Sequence, residues 1–209
     1  MPGCPGGVPK PRPEDEIHDV AKKCNLAVSE SENLIEDVAH SLAEGQVVAI
    51  HQGSLQSGPR ALCHRSILAS PREGEMGGYI NAEVKHRECF RPLAPVMRLE
   101  SAPRYLEMSG ESPFMRRRVW VRPEWRETLG AITHVDGSAR VQTVTREQNE
   151  FISDLLAAME RIDGLDVLLN TSFNGADESI VESLSDACAA FRRMKIDKLI
   201  APPFILTKA

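Results

Sequence analysis

Short apolar runs of strand length alternate along this chain with amphipathic stretches of helical length. The clearest helix is predicted over residues 146–162, where Phe151, Leu155, Leu156, Met159 and Ile162 recur on one face. Strand-length runs include VLLN (167–170) and the closing pair KLIA and FILTK. Each element must bury its apolar face against another, so this alternation indicates an α/β or α+β protein built on a β-sheet flanked by helices.

The remaining elements follow from the same periodicities. Ser31 and Gly45 would cap and end a helix, and Gly77 and Gly78 weaken another one over residues 73–86. Strands are predicted at 46–51, 93–99 and 118–121, and a helix at 183–194. Two further strands, 131–135 and 138–144, flank Asp136-Gly137 and predict a hairpin.

The chain is long enough for one domain with a tail. It has 209 residues, of which 42% are hydrophobic, so a core can form. The first dozen residues are rich in proline and glycine and a charged stretch follows, which predicts a flexible tail over residues 1–30. Residues 31–209 are predicted to form the globular domain.

Charge and cysteine content limit the classes of function. The formal net charge is -5, whereas a nonspecific nucleic-acid binder usually carries a basic surplus, so nucleic acid is not an expected partner. The five cysteines are scattered without a Cys-x-x-Cys pair, which disfavours a zinc ribbon and suits a reducing compartment. No run approaches the roughly 20 apolar residues of a membrane span. Cytoplasmic localisation is the expectation.

Fixed cations nevertheless gather in a few segments that also carry small residues. These cations are Arg60 after Gly58-Pro59, then Lys85, Arg87 and Arg91 in KHRECFRP (85–92), and Arg140 in HVDGSARVQTV (134–144). Arginine offers a planar fork that matches phosphate oxygens, whereas lysine acts as a compact point charge. Two interpretations are open. The cations lie on solvated faces, as Lys and Arg mostly do, or they jointly hold a polyphosphate.

Short polar side chains follow the buried strand VLLN. They are Asn170, Thr171, Ser172 and Asn174, in the stretch LLNTSFN. Ligands of open α/β sheets bind outside the carboxyl ends of strands, and backbone N–H groups there can receive phosphate oxygens. The alternative is an Asx-type turn that only satisfies its own backbone.

Taken in order, GPRAL…RSIL, NAEVKHRECFRPLAP, THVDGSARVQTV and LLNTSFN resemble the C-terminal domain of the carbamoyltransferases that modify nodulation factors and antibiotics. The resemblance covers roughly residues 32–206. It implies a fold similar to threonylcarbamoyl-AMP synthases, a twisted mixed sheet with helices around an open cationic cavity. It also implies that ATP, with Mg²⁺, and carbamoyl phosphate form carbamoyl-adenylate, and that a separate metal-binding domain passes the carbamoyl group to a hydroxyl.

The resemblance also implies the site residues. The family's cavity positions fall on Arg60, Lys85, Arg91, Arg140 and Ser172, and Asn170 and Asn174 also match its pattern. Lys85, Arg60 and Arg91 are the candidate catalytic residues around carbamoyl phosphate and its carbamate. Arg140 and Ser172 are expected on the nucleotide phosphates. No metal ligands are assigned.

Several positions depart from the family pattern. Cys63-His64 replaces a usual Gly-Asn, and if that glycine needs a positive φ or a close approach to ligand, Cys63 would obstruct it. Cys89 replaces a common Trp, which removes a packing surface. Arg116, Arg117 and Arg118 form an outward-facing edge or an added phosphate-binding strip.

Three functions remain open at this stage. The first is an enzyme domain that activates carbamoyl groups for another domain or partner. The second is a nucleotide- or RNA-binding module that has lost turnover, and the third is a regulatory subunit. His51, His86 and His134 are acid–base candidates by residue type alone, and none of the cysteines has a base that would make it a nucleophile.

Overall fold

Helices and strands alternate along the chain, as the apolar runs predict. A computed structural model describes residues 13–54, 60–72 and 74–209, without the side chains of residues 13–15. Within that part the α-helices are α1 (Pro13–Lys23), α2 (Leu34–Ala43), α3 (Glu75–Tyr79), α4 (Ala102–Tyr105), α5 (Glu150–Asp163) and α6 (Leu184–Arg193). The strands are β1 (Leu26–Glu30), β2 (Val48–His51), β3 (Arg65–Ala69), β4 (Ala94–Arg98), β5 (Arg117–Trp120), β6 (Ser138–Val144), β7 (Val167–Ser172), β8 (Lys198–Ala201) and β9 (Phe204–Lys208). A π-helix (Ile80–Val84) continues α3, and two 3-10 turns occupy Pro123–Trp125 and Gly130–Ile132.

The strands of the described residues form one nine-stranded mixed sheet. Its order is β1-β9-β8-β2-β3-β7-β4-β6-β5. β2 and β8 run parallel, as do β4 and β6, whereas the other neighbouring pairs are antiparallel. Helices lie on both faces, so the predicted mixed sheet flanked by helices is confirmed.

Successive residues of each strand belong to different apolar layers. In β7, Val167 and Leu169 pack in one layer and Leu168 in the other, because strand side chains alternate between faces. Residues of α2 and α5 cover the layer that contains Leu168. Asn170 and Ser172 lie two and four residues after Leu168 in β7. Their side chains therefore lie on the same face of the sheet as Leu168, at the carboxyl end of the strand.

Residues 13–30 belong to the fold, so the prediction of a tail over residues 1–30 is wrong for this part. α1 buries Ile17 and Ala21 in the core, and β1 pairs antiparallel with β9 from Leu26 to Glu30. The proline and glycine of the opening residues suggested a tail, but the apolar positions from Ile17 onward recur at helical spacing. Residues 1–12 lie outside the described residues.

The predicted hairpin around Asp136-Gly137 is wrong in its first strand. The tight turn is present, since Gly137 has a φ of +82° and its N–H donates to the carbonyl of His134 at 2.8 Å. Residues 131 and 132 instead belong to the 3-10 turn Gly130–Ile132, where Ile132 is buried in the core, and residues 133–135 form no strand. β6 therefore pairs with β5 and β4, which are distant in sequence.

Two smaller differences concern α2 and β3. α2 begins at Leu34 after Asn33, and Ser31 does not cap it, although the Ser31 hydroxyl accepts from the Asn33 N–H at 3.1 Å.

β3 was not predicted as a strand because its buried residues follow directly on the GPRAL segment without a separating turn signal. Fully buried β3 is a central strand between β2 and β7.

We expect Ile17→Ala to lower the free energy of unfolding by about 2–5 kcal/mol, since Ile17 is buried in the core and truncation leaves a cavity. Asp19→Ala is the matched control on the exposed face of the same helix. Chemical denaturation of both variants measures the difference. Equal stability of wild type and Ile17→Ala would show that α1 does not pack in solution.

Candidate functional site

A buried asparagine fixes the loop that carries the predicted cations. Asn81 lies in the π-helix, and its Nδ2 donates to the carbonyl oxygens of Cys89 at 3.1 Å and Arg91 at 2.8 Å. Its Oδ1 accepts from Arg87 Nε at 2.8 Å. One side chain therefore sets both the backbone of the loop and the direction of a guanidinium. Sequence reasoning did not select Asn81, although a polar residue between Ile80 and Val84 on a buried turn is a recognisable signal.

Lys85 joins the end of this π-helix to the loop after β7. The residue is 4% exposed, and its Nζ donates to the carbonyl oxygens of Ser172 at 2.8 Å and Asn174 at 2.7 Å. The Ser172 hydroxyl at 3.3 Å and the Asn174 side-chain oxygen complete the shell. Burial, followed by the charge of Arg87, lowers the pKa of Lys85 to about 7, and Glu178 raises it slightly. Lys85 therefore fixes residues 172–174 through these hydrogen bonds. An anion bound nearby would stabilise the protonated form of its side chain.

Three arginines surround a small cavity at the end of β7, which we call the arginine cavity. Its volume is about 90 Å³, and Arg60, Arg87, Arg140, Asn170 and Ser172 are among its lining residues. Among the described residues that line it, none is acidic. Burial and then the charge of Arg60 lower the pKa of Arg140, whose buried Nε has no hydrogen-bond partner. The cavity therefore attracts an anion, because no carboxylate among its described lining residues neutralises the arginines.

A second hollow, the lysine cavity, adjoins the first. It has a volume of about 290 Å³, and its lining includes Lys85, Arg87, Arg91, Ser172 and Asn174. Arg91 is more than half exposed and forms an ion pair with Glu88 at 3.1 Å. Arg87 and Ser172 line both cavities, so they stand at the junction between them.

The structure brings all the predicted site residues to these two adjoining cavities. Arg60, Arg140 and Asn170 line the arginine cavity, Lys85, Arg91 and Asn174 line the lysine cavity, and Ser172 lines both. Arg87 received no role from the sequence, although it lies at the junction. The Gly58-Pro59 turn before Arg60 lies outside the described residues.

Asn170 connects three segments beneath the arginine cavity. Its Nδ2 donates to Gln142 Oε1 at 2.7 Å and to the Ala61 carbonyl at 3.2 Å, with Cys63 Sγ at 3.4 Å. These contacts tie β7 to β6 and to the turn before β3. Its Oδ1 is buried without a hydrogen-bond partner. Asn170 thus holds these segments together through Nδ2, and its Oδ1 remains a hydrogen-bond acceptor without a partner.

Cys63 occupies a backbone conformation that favours glycine. Its φ is +70°, which costs a residue with a Cβ about 1–2 kcal/mol. The chain tolerates this because the side chain is fully buried and the Cys63 N–H donates to Ser66 Oγ at 2.9 Å. Cys63 is not among the residues that line either cavity, so it does not obstruct them. Burial raises the pKa of its thiol to about 12, which keeps the thiol protonated.

The three histidines chosen by residue type lie in different surroundings. His86 lines the lysine cavity, whereas His51 lines a separate hollow with Arg65 and Glu182. His134 Nδ1 lies 3.3 Å from Ser138 Oγ, and burial lowers the pKa of His134. The structure therefore assembles no common histidine site among the three.

The Arg116–Arg118 segment is exposed on the edge strand β5. Arg118 is the register partner of Arg140 and forms an ion pair with Asp136 at 3.2 Å. Arg117 Nη1 donates to the Ser109 carbonyl at 2.6 Å. This placement favours the outward-facing edge over an additional strip inside the cavities.

Neither a metal centre nor a membrane span appears in the part of the chain that the structure describes. No group of three His, Cys, Asp or Glu side chains there could hold a metal ion. No helix in residues 13–54, 60–72 and 74–209 has the length and apolar character needed to cross a bilayer.

Comparison with known proteins places the chain in a family. Residues 39–208 match the family model described as Carbamoyltransferase C-terminus. The chain is 43% identical over 187 residues to nodulation protein NolO of Bradyrhizobium diazoefficiens, which covers 88% of this chain and 34% of that protein. It is 43% identical over 155 residues to 3'-hydroxymethylcephem-O-carbamoyltransferase of Amycolatopsis lactamdurans, covering 72% and 28% of the two chains. The chain spans about a third of the length of these curated relatives.

Solved structures show a similar fold. Full-length HypF in a phosphate- and nucleotide-bound form has a TM-score of 0.54 at 18% identity, covering 87% of this chain and 22% of that one. T. kodakarensis HypF has a TM-score of 0.56 at 12% identity, with 82% and 22% covered. At such identities the likeness concerns the fold alone, and it agrees with the predicted fold class. The family match over most of the chain, together with the relatives at 43% identity, shows that this chain belongs to the carbamoyltransferase family, where it corresponds to the C-terminal region.

Proposed function

We propose that this domain activates a carbamoyl group by forming carbamoyl-adenylate from ATP and carbamoyl phosphate. The observation that carries the proposal is the arginine cavity, where Arg60, Arg87 and Arg140 gather and none of the described lining residues is acidic. Arg87 and Arg140 are partly buried and Arg60 is exposed. Cations gathered without a neighbouring carboxylate repel one another, so the arrangement is best explained by an anionic ligand. Membership of the carbamoyltransferase family supplies the identity of the group that is activated.

The reaction requires an active site that cancels negative charge. Water converts carbamoyl phosphate into carbamate and inorganic phosphate. A carbamate oxygen then attacks the α-phosphorus of ATP, the bond to the oxygen that bridges to the β-phosphate breaks, and pyrophosphate leaves. Carbamate and ATP are both anions and repel each other, so the protein must neutralise them and hold them in line.

The two cavities suggest a division of roles. Lys85 and Arg91 would contact carbamoyl phosphate in the lysine cavity, and Arg140 would contact the nucleotide phosphates. Arg60 lies beside Arg140, so we now assign it to the nucleotide phosphates as well as to the nearby carbamate. Arg87 and Ser172, at the junction of the cavities, are in position to contact both reactants.

We assign neither Mg²⁺ nor the acceptor hydroxyl to the residues of the two cavities. With no cluster of metal ligands in the described part of the chain, Mg²⁺ would enter bound to the ATP phosphates, as it does where few protein ligands hold it. The carbamoyl group would pass to an acceptor hydroxyl in a separate domain or partner, because the relatives are about three times as long as this chain.

We expect pyrophosphate release when the purified protein is incubated with ATP, Mg²⁺ and carbamoyl phosphate, and no release when carbamoyl phosphate is omitted. A coupled phosphate assay after pyrophosphatase treatment measures it against the background of phosphate from carbamoyl phosphate. ATP binding without pyrophosphate release would favour the binding module that has lost turnover. Absence of ATP binding would contradict the proposal.

Arg140→Ala should raise the Kd for ATP about 5- to 150-fold, which corresponds to about 1–3 kcal/mol for a charged hydrogen bond. The matched control is Arg146→Ala, because Arg146 is exposed and its ion pairs with Glu150 and Asp154 lie outside both cavities. Isothermal titration calorimetry measures both variants. Equal affinities of wild type and Arg140→Ala would remove the arginine cavity from the nucleotide site.

Anion affinity should fall as the pH rises through about 7. Lys85 has a pKa lowered to about 7, so above that pH its side chain is mostly a neutral amine, which must take up a proton before it can stabilise an anion. Sulfate is the suitable probe because it does not titrate between about pH 6 and about pH 9, where its affinity should decline by up to about tenfold per unit.

Two variants identify the group that titrates. Lys85→Arg keeps a positive charge and should bind sulfate with an affinity independent of pH. His86→Gln, which alters another lining residue of the lysine cavity, should keep the wild-type slope. A slope that persists in Lys85→Arg would contradict the assignment of the titration to Lys85.

A further inference from the structure

A third hollow, the Phe90 groove, lies between residues 89–93 and residues 130–136. Its volume is about 600 Å³, and Gly74, Gly77 and Gly78 line it as well. A Cβ on Gly77 would lie 3.0 Å from the Ala131 carbonyl oxygen, so α3 needs glycine to approach the 130–132 turn this closely. The groove therefore presents backbone and small residues along this side, with a few larger apolar side chains at its margin.

Phe90 is the most unusual of these side chains. It is 85% exposed, although the loop that carries it is held on both sides by Asn81 through the carbonyl oxygens of Cys89 and Arg91. Val135, on the opposite segment, is also exposed. A large aromatic ring on a fixed backbone thus presents a flat apolar face beside the hollow, and such a face can stack on a planar group of a ligand.

The groove adjoins both cationic cavities. Arg91 lines the groove and the lysine cavity, and Pro92 and Leu93 line the groove and the arginine cavity. The two cationic cavities are small, about 90 Å³ and 290 Å³, so a ligand larger than its anionic groups must extend beyond them. The groove is the neighbouring hollow into which it can extend.

The charge of the groove differs from that of the arginine cavity. Asp136 lines it, and its described lining arginine, Arg91, is paired with Glu88 at 3.1 Å, so the groove does not offer the unneutralised cations that phosphates require. Its exposed apolar side chains suit a flat, uncharged group instead. A nucleotide has both kinds of surface, phosphates at one end and a planar base at the other.

We propose that the Phe90 groove binds the nucleoside half of ATP, with the Phe90 ring stacked on the base while the phosphates lie in the arginine cavity. This inference rests on the proposed function, since it places the uncharged part of the same substrate. Phe90 thereby becomes a residue that distinguishes a nucleotide from a simple polyphosphate.

The test compares ATP with pyrophosphate, which has no nucleoside. Phe90→Ala should raise the Kd for ATP about 5- to 150-fold, the loss expected for one base stacked on an aromatic ring, and leave the Kd for pyrophosphate unchanged. Phe90→Trp should restore ATP binding. Phe114→Ala is the matched control, because Phe114 is also exposed but does not line the groove. Isothermal titration calorimetry measures both ligands.

Two results would overturn the inference while leaving the proposed function intact. The first is unchanged ATP affinity in Phe90→Ala. The second is an equal loss for ATP and pyrophosphate, which would show that the substitution disturbs the cation loop. Failure of the wild type to bind ATP, with pyrophosphate bound or not, would overturn both the groove assignment and the proposed function.

Discussion

The candidate site depends on the ammonium of Lys85, which joins two segments that are far apart in sequence. Its hydrogen bonds to the backbone of Ser172 and Asn174 connect the end of the π-helix to the end of β7. Because Arg87 and Ser172 line both cavities, the same connection places the two cavities side by side. Loss of this contact would free the loop after β7 from the π-helix.

Like charges accumulate here because the sheet holds their backbones in place. Arg140 lies on β6, and the register of β4 with both β6 and β7 brings that strand close to Asn170 and Ser172. Arg87 is held from the opposite side by the buried Asn81. The folding energy of the sheet and the π-helix thus offsets the repulsion among the cations, and an anionic ligand would relieve it.

Cys63 shows how the domain accommodates a residue that disfavours its backbone conformation without losing this arrangement. The position requires a positive φ, and the chain keeps that conformation with a residue that disfavours it. The side chain turns into the interior, near Gln142 and Asn170, and stays away from the cavities. The geometry of the site therefore survives a substitution that the sequence alone made suspect.

Local sequence was sufficient to predict the elements in which apolar residues recur at a regular spacing. α5 and β7 were predictable because the apolar positions of each element repeat with one period. α1 was missed because the composition of its neighbours concealed that repeat. β6 was predicted to pair with residues 131–135, whereas it pairs with β5 and β4, because pairing depends on strands that are not adjacent in sequence. Asn81 and Arg87 were not selected, since their importance lies in contacts with a loop and a cavity that exist only after folding.

The sequence by itself determined the chemical character of this protein, namely which cations, amides and hydroxyls it carries and to which family their order belongs. Only the tertiary structure decided how they are grouped. It divided the predicted residues between two cavities, used Lys85 as a bridge, and left Phe90 exposed beside a groove. The physical reason is that residue type sets what a side chain can bind, whereas long-range strand pairing and buried hydrogen bonds set what it can reach.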